Sequence, residues 1–146
     1  MMSLETVTVS EIRKNMAEYF VEAVHKNKLI GLSRYEKERA YLVGEEMLDT
    51  LLNYALLAPD FDVFDEEDGS KTIVYKTLDL LANGDTYEAT VEDIVIQAQE
   101  YADDYLNDIN LYHRDPERKN HLPLLILISK ARSKDEIRNL LGLQQG

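Results

Sequence analysis

The sequence predicts an α+β domain followed by an all-α domain, and three observations lead there. Up to about residue 58, short β-prone segments alternate with segments of helical periodicity. An acidic stretch, Asp60 to Gly69, then interrupts the pattern. Beyond it, apolar residues recur at three- and four-residue spacing, which marks helix faces that need one another for burial. The expected organisation is a domain over 1–58, an acidic linker over 59–70 and a helical domain over 71–146.

The elements follow in order. Thr6-Val7-Thr8-Val9 is short and β-prone. Ser10 suits an N-cap, and Glu11 then sits near the positive end of the helix. Ile12, Met16, Tyr19, Phe20, Ala23 and Val24 give that helix one apolar face. Leu29 to Ser33 and Ala40 to Val43 read as paired strands with Tyr35 to Glu38 as the turn, although the Asn-Gly or Asp-Gly signal is missing. Met47, Leu48, Leu51, Leu52 and Ala55 mark a second helix, ended by Pro59. Past the acidic stretch, Ile73, Val74, Thr77, Leu78 and Leu81 suggest a helix stopped at Asn83-Gly84. Thr90 with Asp93 reads as the cap of the clearest helix, whose stripe runs from Val91 to Ile109. Pro123 opens either a helix or a short buried strand. Ser133 with Glu136 forms a capping box, and Gly142 suits the C′ position of the last helix.

Composition narrows the function. The 146 residues include 45% hydrophobic side chains, enough for a real core, and no cysteine, so disulfides and thiolate metal sites are excluded. The start, Met1-Met2-Ser3-Leu4-Glu5, has neither the basic nor the apolar character of a leader or anchor, and a cytoplasmic protein is expected. Net charge is −12, unevenly placed. Residues 1–58 carry 7 Lys and Arg against 9 Asp and Glu, residues 59–110 carry 2 against 15, and residues 111–146 carry 7 against 4. The middle of the chain repels nucleic acid and attracts a basic protein partner.

The order strand, Ser10-Glu11-Ile12-Arg13-Lys14-Asn15, hairpin around Ser33-Arg34-Tyr35-Glu36-Lys37, then the helix Glu45 to Leu56 resembles the Phd/YefM antitoxins, small bacterial DNA-binding repressors that also neutralise a toxin. The resemblance covers about the first 58 residues. It implies a homodimer formed through this domain, binding to operator DNA, and a toxin as the partner of the remainder. It also implies DNA-binding roles for Arg13 and Lys14 in the first helix and for Arg34, Lys37 and Arg39 at the hairpin. Lys and Arg at such edges neutralise phosphates, and Arg can read guanine in the major groove. Glu36 stands where the family has Gly, and Glu38 where it has Pro. An alternative in a different class is a dimeric interaction adaptor that keeps the domain as a scaffold and binds no DNA.

Other constellations carry less. The run Asp60 to Asp68 lacks the ligand spacing of a calcium loop, and His25, His113 and His121 lie at no spacing typical of zinc. No phosphate loop or nucleophile elbow is visible, so no enzyme, metal or cofactor is expected. On the long helix, Tyr101, Asp104, Tyr105 and Asp108 form a tyrosine–acid face suited to a protein partner. The competing reading is that the two tyrosines cover the core of their own domain.

Overall fold

The computed structural model describes residues 5–143; the first four residues, and with them most of the segment read above for a leader, lie outside it. The chain divides into two compact units between Tyr54 and Ala55.

In the first unit, β1 (Glu5–Thr8) lies parallel to β2 (Ile30–Arg34), with Val7 opposite Leu32, and β3 (Glu38–Leu42) pairs antiparallel with β2. A parallel pair requires a crossover, and α1 (Val9–Lys14) with α2 (Met16–His25) provides it. The expected single helix is broken at Asn15, whose side-chain amide donates to Glu11 Oε1 (2.8 Å). The cap is Thr8, not Ser10: its hydroxyl accepts from Glu11 N at 3.1 Å. Gly44 precedes α3 (Glu45–Ala55), and a Cβ there would meet the Ala23 carbonyl oxygen at 2.6 Å, so the chain must be bare where it passes α2.

The second unit overturns the all-α expectation. Asp60 to Gly69 is no linker, because β4 (Phe61–Asp65) runs through it. The helix expected around Ile73 to Leu81 is instead β5 (Lys71–Tyr75), a 3-10 turn (Lys76–Leu78) and β6 (Leu80–Gly84). The three strands form an antiparallel sheet in the order β4-β5-β6. The physical reason lies in Thr72-Ile73-Val74-Tyr75, a run of β-branched and aromatic residues that favours a pleated surface. Asp79 then reverses the chain in the left-handed region (φ 57°).

Helix α4 (Tyr87–Asn107) packs on β5 and β6. Its cap is Thr86 rather than Thr90. Thr90 is buried, one turn into the helix, where its hydroxyl reaches the Thr86 and Lys71 carbonyls at 2.7 and 3.1 Å. Short helices α5 (Ile109–His113) and α6 (Pro116–Lys119) lead to α7 (Leu122–Lys130) and α8 (Lys134–Leu141). Pro123 thus opens a helix, not a strand. The last helix follows its sequence signals closely: Ser133 Oγ accepts from Glu136 N, and Gly142 closes it at φ 72° with Leu143 N donating to the Arg138 carbonyl. Ile73, Tyr75, Ile94, Ala98, Leu125, Ile128 and Leu141 fill the core, and Tyr75 OH donates across it to the Leu141 carbonyl at 2.7 Å.

Candidate functional site

The residues expected to contact DNA lie on α1 and on the β2–β3 hairpin, whereas Lys26 and Lys28 lie between α2 and β2. Thr8 pairs with Ser33, so α1 starts beside the hairpin that joins β2 to β3. Arg13 and Lys14 end α1, Lys37 lies in the turn and Arg39 on β3; all four are exposed. Arg34 is exposed too, but its guanidinium is engaged by Glu38 across the turn, with Nε to Oε1 at 3.0 Å and Nη2 to both carboxylate oxygens at 2.9 Å. It also lies over the Tyr35 ring, 5.2 Å from the centroid. Tyr35 and Glu36 both take positive φ (53° and 58°), a conformation that costs a side-chain-bearing residue about 1–2 kcal/mol. This is the primed turn geometry that matches the twist of a hairpin, made here without its usual Gly.

The second candidate lies in the second unit. Asp79, Gln97, Glu100, Tyr101, Asp104 and Arg118 line an open groove of about 310 Å³. Tyr101 is half-buried, and Asp104 and Asp108 are exposed. Tyr105 must be corrected: it is completely buried, donates to the Arg118 carbonyl at 2.9 Å and belongs to the core, not to a contact face. One helical turn therefore separates a core tyrosine from a groove tyrosine. Tyr105 stacks on Tyr112 (5.1 Å), and the Arg118 guanidinium lies 5.2 Å from the Tyr112 centroid and 5.6 Å from that of Tyr101.

Behind the groove, His121 is buried, with Nδ1 2.7 Å from Tyr101 OH and Nε2 3.9 Å from Asp79 Oδ2. Desolvation pushes Tyr101 up to about 12 and pushes His121 below its ordinary value. A protonated hydroxyl and a neutral imidazole share this hydrogen bond, and the imidazole tautomer sets which of them donates. Sequence reasoning missed this group, because Tyr101, Tyr112, Arg118 and His121 share no periodicity that runs through the break at Pro116. It missed the Arg34–Glu38 pair as well, although opposite charges flanking a short turn are its signal. Among the described residues, no three His, Cys, Asp or Glu side chains come together as a metal-binding group. Nor is any helix among them long and apolar enough to cross a membrane.

Over residues 1–143 the chain matches a PHD-like family described as the antitoxin of RelE/RelB-type toxin–antitoxin systems. The crystal structure of the antitoxin part of a candidate toxin/antitoxin system from Syntrophomonas wolfei subsp. wolfei superposes with a TM-score of 0.79 at 26% identity, covering 94% of this chain and 96% of that one. No curated protein matches. The chain belongs to this antitoxin family, and the resemblance read from its first 58 residues agrees with a match that extends through both units.

Proposed function

We propose that this antitoxin acts as a cytoplasmic dimer that binds operator DNA with its first unit and its toxin with its second. The observation that carries the proposal is the unequal burial of apolar side chains in the two units. In the first, Met16, Phe20 and Val21 on α2 are 46–53% exposed, Tyr41 on β3 is 56% exposed, and the buried apolar side chains among the described residues are Ile12, Ala23, Ile30 and Leu52. So small a core is completed by isologous packing against a second copy. The second unit has its own core, and its groove lies in the acidic part of the chain, which suits a basic toxin. A family member has a toxin as partner, and this unit is the preformed surface available to it.

Dimerisation would place two copies of Arg13, Lys14, Lys37 and Arg39 along a duplex, which supports an autorepressor role. The Arg34–Glu38 pair favours a second reading, in which the first unit dimerises without binding DNA, because Arg34 must release Glu38 to take a phosphate.

Titration against the chain's own upstream region at low and moderate salt separates the two readings. Phosphate neutralisation makes affinity fall with salt, and Arg13→Ala and Arg34→Ala weaken it more than the distant Arg132→Ala. Absence of binding at low salt selects the adaptor reading. Co-purification with the product of the adjacent reading frame tests the toxin-binding role, and failure to co-purify removes it.

A further inference from the structure

We infer that the free edge of β4 is a strand-addition site for an extended, basic segment of a partner protein. The inference rests on the partner-binding role proposed above and assigns it a place outside the Tyr101 groove. β4 is an edge strand, hydrogen-bonded to β5 on one side. Two bonds fix which backbone groups face which way: Glu66 N donates to the Ser70 carbonyl (2.9 Å), and Lys76 N to the Asp60 carbonyl (2.8 Å). By the antiparallel alternation, Asp60, Asp62, Phe64 and Glu66 pair with β5, and the N–H and C=O groups of Phe61, Val63 and Asp65 point to the open edge.

Of the devices that usually close an edge, this one has charge alone. It has no proline, lysine or bulge, and Val63 and Phe64, on opposite faces of the strand, are 43% and 47% exposed. Phe64 and the half-buried Val74 lie on one face as diagonal neighbours, with Thr72 opposite Phe64 and the exposed Leu81 opposite Val74. What the edge does carry is acid. Residues 60–68 hold six Asp and Glu and no base. Lys76, in the turn after β5, engages Asp62 at 2.8 Å and Lys71 engages Asp65, so these two cations answer only two of the six.

The charge chooses the occupant. A second copy of β4 would set carboxylates against carboxylates, a destabilising cross-strand arrangement. A strand alternating Lys or Arg with small apolar residues would place its cations on the face of Asp60, Asp62 and Glu66 and its apolar side chains on the face of Phe61 and Val63. Backbone pairing would supply affinity, and the acidic flank would select against neutral and acidic strands.

The test uses the full chain and a short peptide alternating Lys and Val, beside the same peptide N-methylated at alternate residues. Charge and composition are equal in the two, but only the first can form the ladder. We expect the unmethylated peptide to bind about tenfold or more tightly, and to slow amide exchange at Phe61, Val63 and Asp65. Val63→Pro should abolish that difference while leaving the fold intact, because the Val63 N–H is not used by β5. Equal binding of the two peptides, or unchanged binding by a folded Val63→Pro protein, overturns the inference and leaves the acidic surface as a diffuse attractor. Co-purification of the wild-type chain with its neighbour's product is read independently, so loss of the edge site and loss of the partner role are told apart.

Discussion

Among the described residues up to Tyr54, four apolar side chains are buried, whereas seventeen are buried from Ala55 onward. The larger unit is about twice as long but has four times the core. Composition does not explain this, since residues 1–54 hold seven Leu, five Val and four Tyr. The first unit turns α2 and β3 side chains outward, while the second folds α4, α7 and α8 around one face of a sheet. A unit that leaves much of its apolar surface open is stabilised by what it binds; one that buries it is stable before binding and can offer a fixed surface.

The sharpest test of that contrast is a core truncation. Leu125 is completely buried on α7. Leu125→Ala should cost about 2–5 kcal/mol, through lost transfer energy and a cavity. In urea, the unfolding step of the second unit should move to lower denaturant and remain independent of protein concentration. A concentration-dependent step there would mean that this unit too relies on a second copy.

Phe20→Ala is the counterpart in the first unit. Phe20 is 53% exposed, so its loss costs an isolated copy little. At a two-fold interface it removes about 1–2 kcal/mol of burial from each protomer. Sedimentation should show the dimer dissociating at concentrations where the wild type remains paired. An unchanged dimer would move the interface away from α2.

How far the fold was legible follows the same division. β1, β2, β3 and α3 could be read because each carries its own local pattern and turn. The second sheet could not. In Phe61-Asp62-Val63-Phe64-Asp65 the charge is as conspicuous as the alternation, and acid at an edge resembles acid in a linker. Ile73, Val74, Thr77, Leu78 and Leu81 match helical spacing only by joining a strand, a turn and a second strand. The basic residues of the first unit could be named from the sequence, but Arg34's engagement by Glu38 required the hairpin register. Tyr101 and Tyr105 were indistinguishable in sequence, since one sits at the margin of the apolar stripe and the other at its centre.

A smaller effect is expected at the hairpin. Glu36→Gly relieves the positive-φ strain, about 1–2 kcal/mol, offset by about 0.5–1 kcal/mol of added unfolded-chain entropy. The net gain in the first unit should be about 0–1.5 kcal/mol. The substitution also removes an acid from between Arg34 and Lys37, so DNA affinity should rise at low salt. If stability rises while no DNA binding appears, the adaptor reading gains.

The smallest effect concerns pH and belongs to the second unit alone. Burial holds His121 neutral below its ordinary titration range, against the attraction of the Asp79 carboxylate, while Arg118 adds to the depression. Protonation makes both ring nitrogens donors, so the Tyr101 hydroxyl can then only accept from Nδ1. The unfolded chain therefore binds the proton more readily than the folded one. The stabilisation is complete above about pH 6.5, the ordinary histidine value, and is lost as pH falls from there through the lower folded-state value. Denaturant midpoints of the second unit should decline over that window more than those of the first. His121→Gln should flatten the difference, because an amide can still accept from Tyr101 but does not titrate. A decline that survives the substitution would assign the acid sensitivity to carboxylates, such as Glu88, whose pairing with Arg138 holds it below the usual carboxylate range and places its own loss at lower pH.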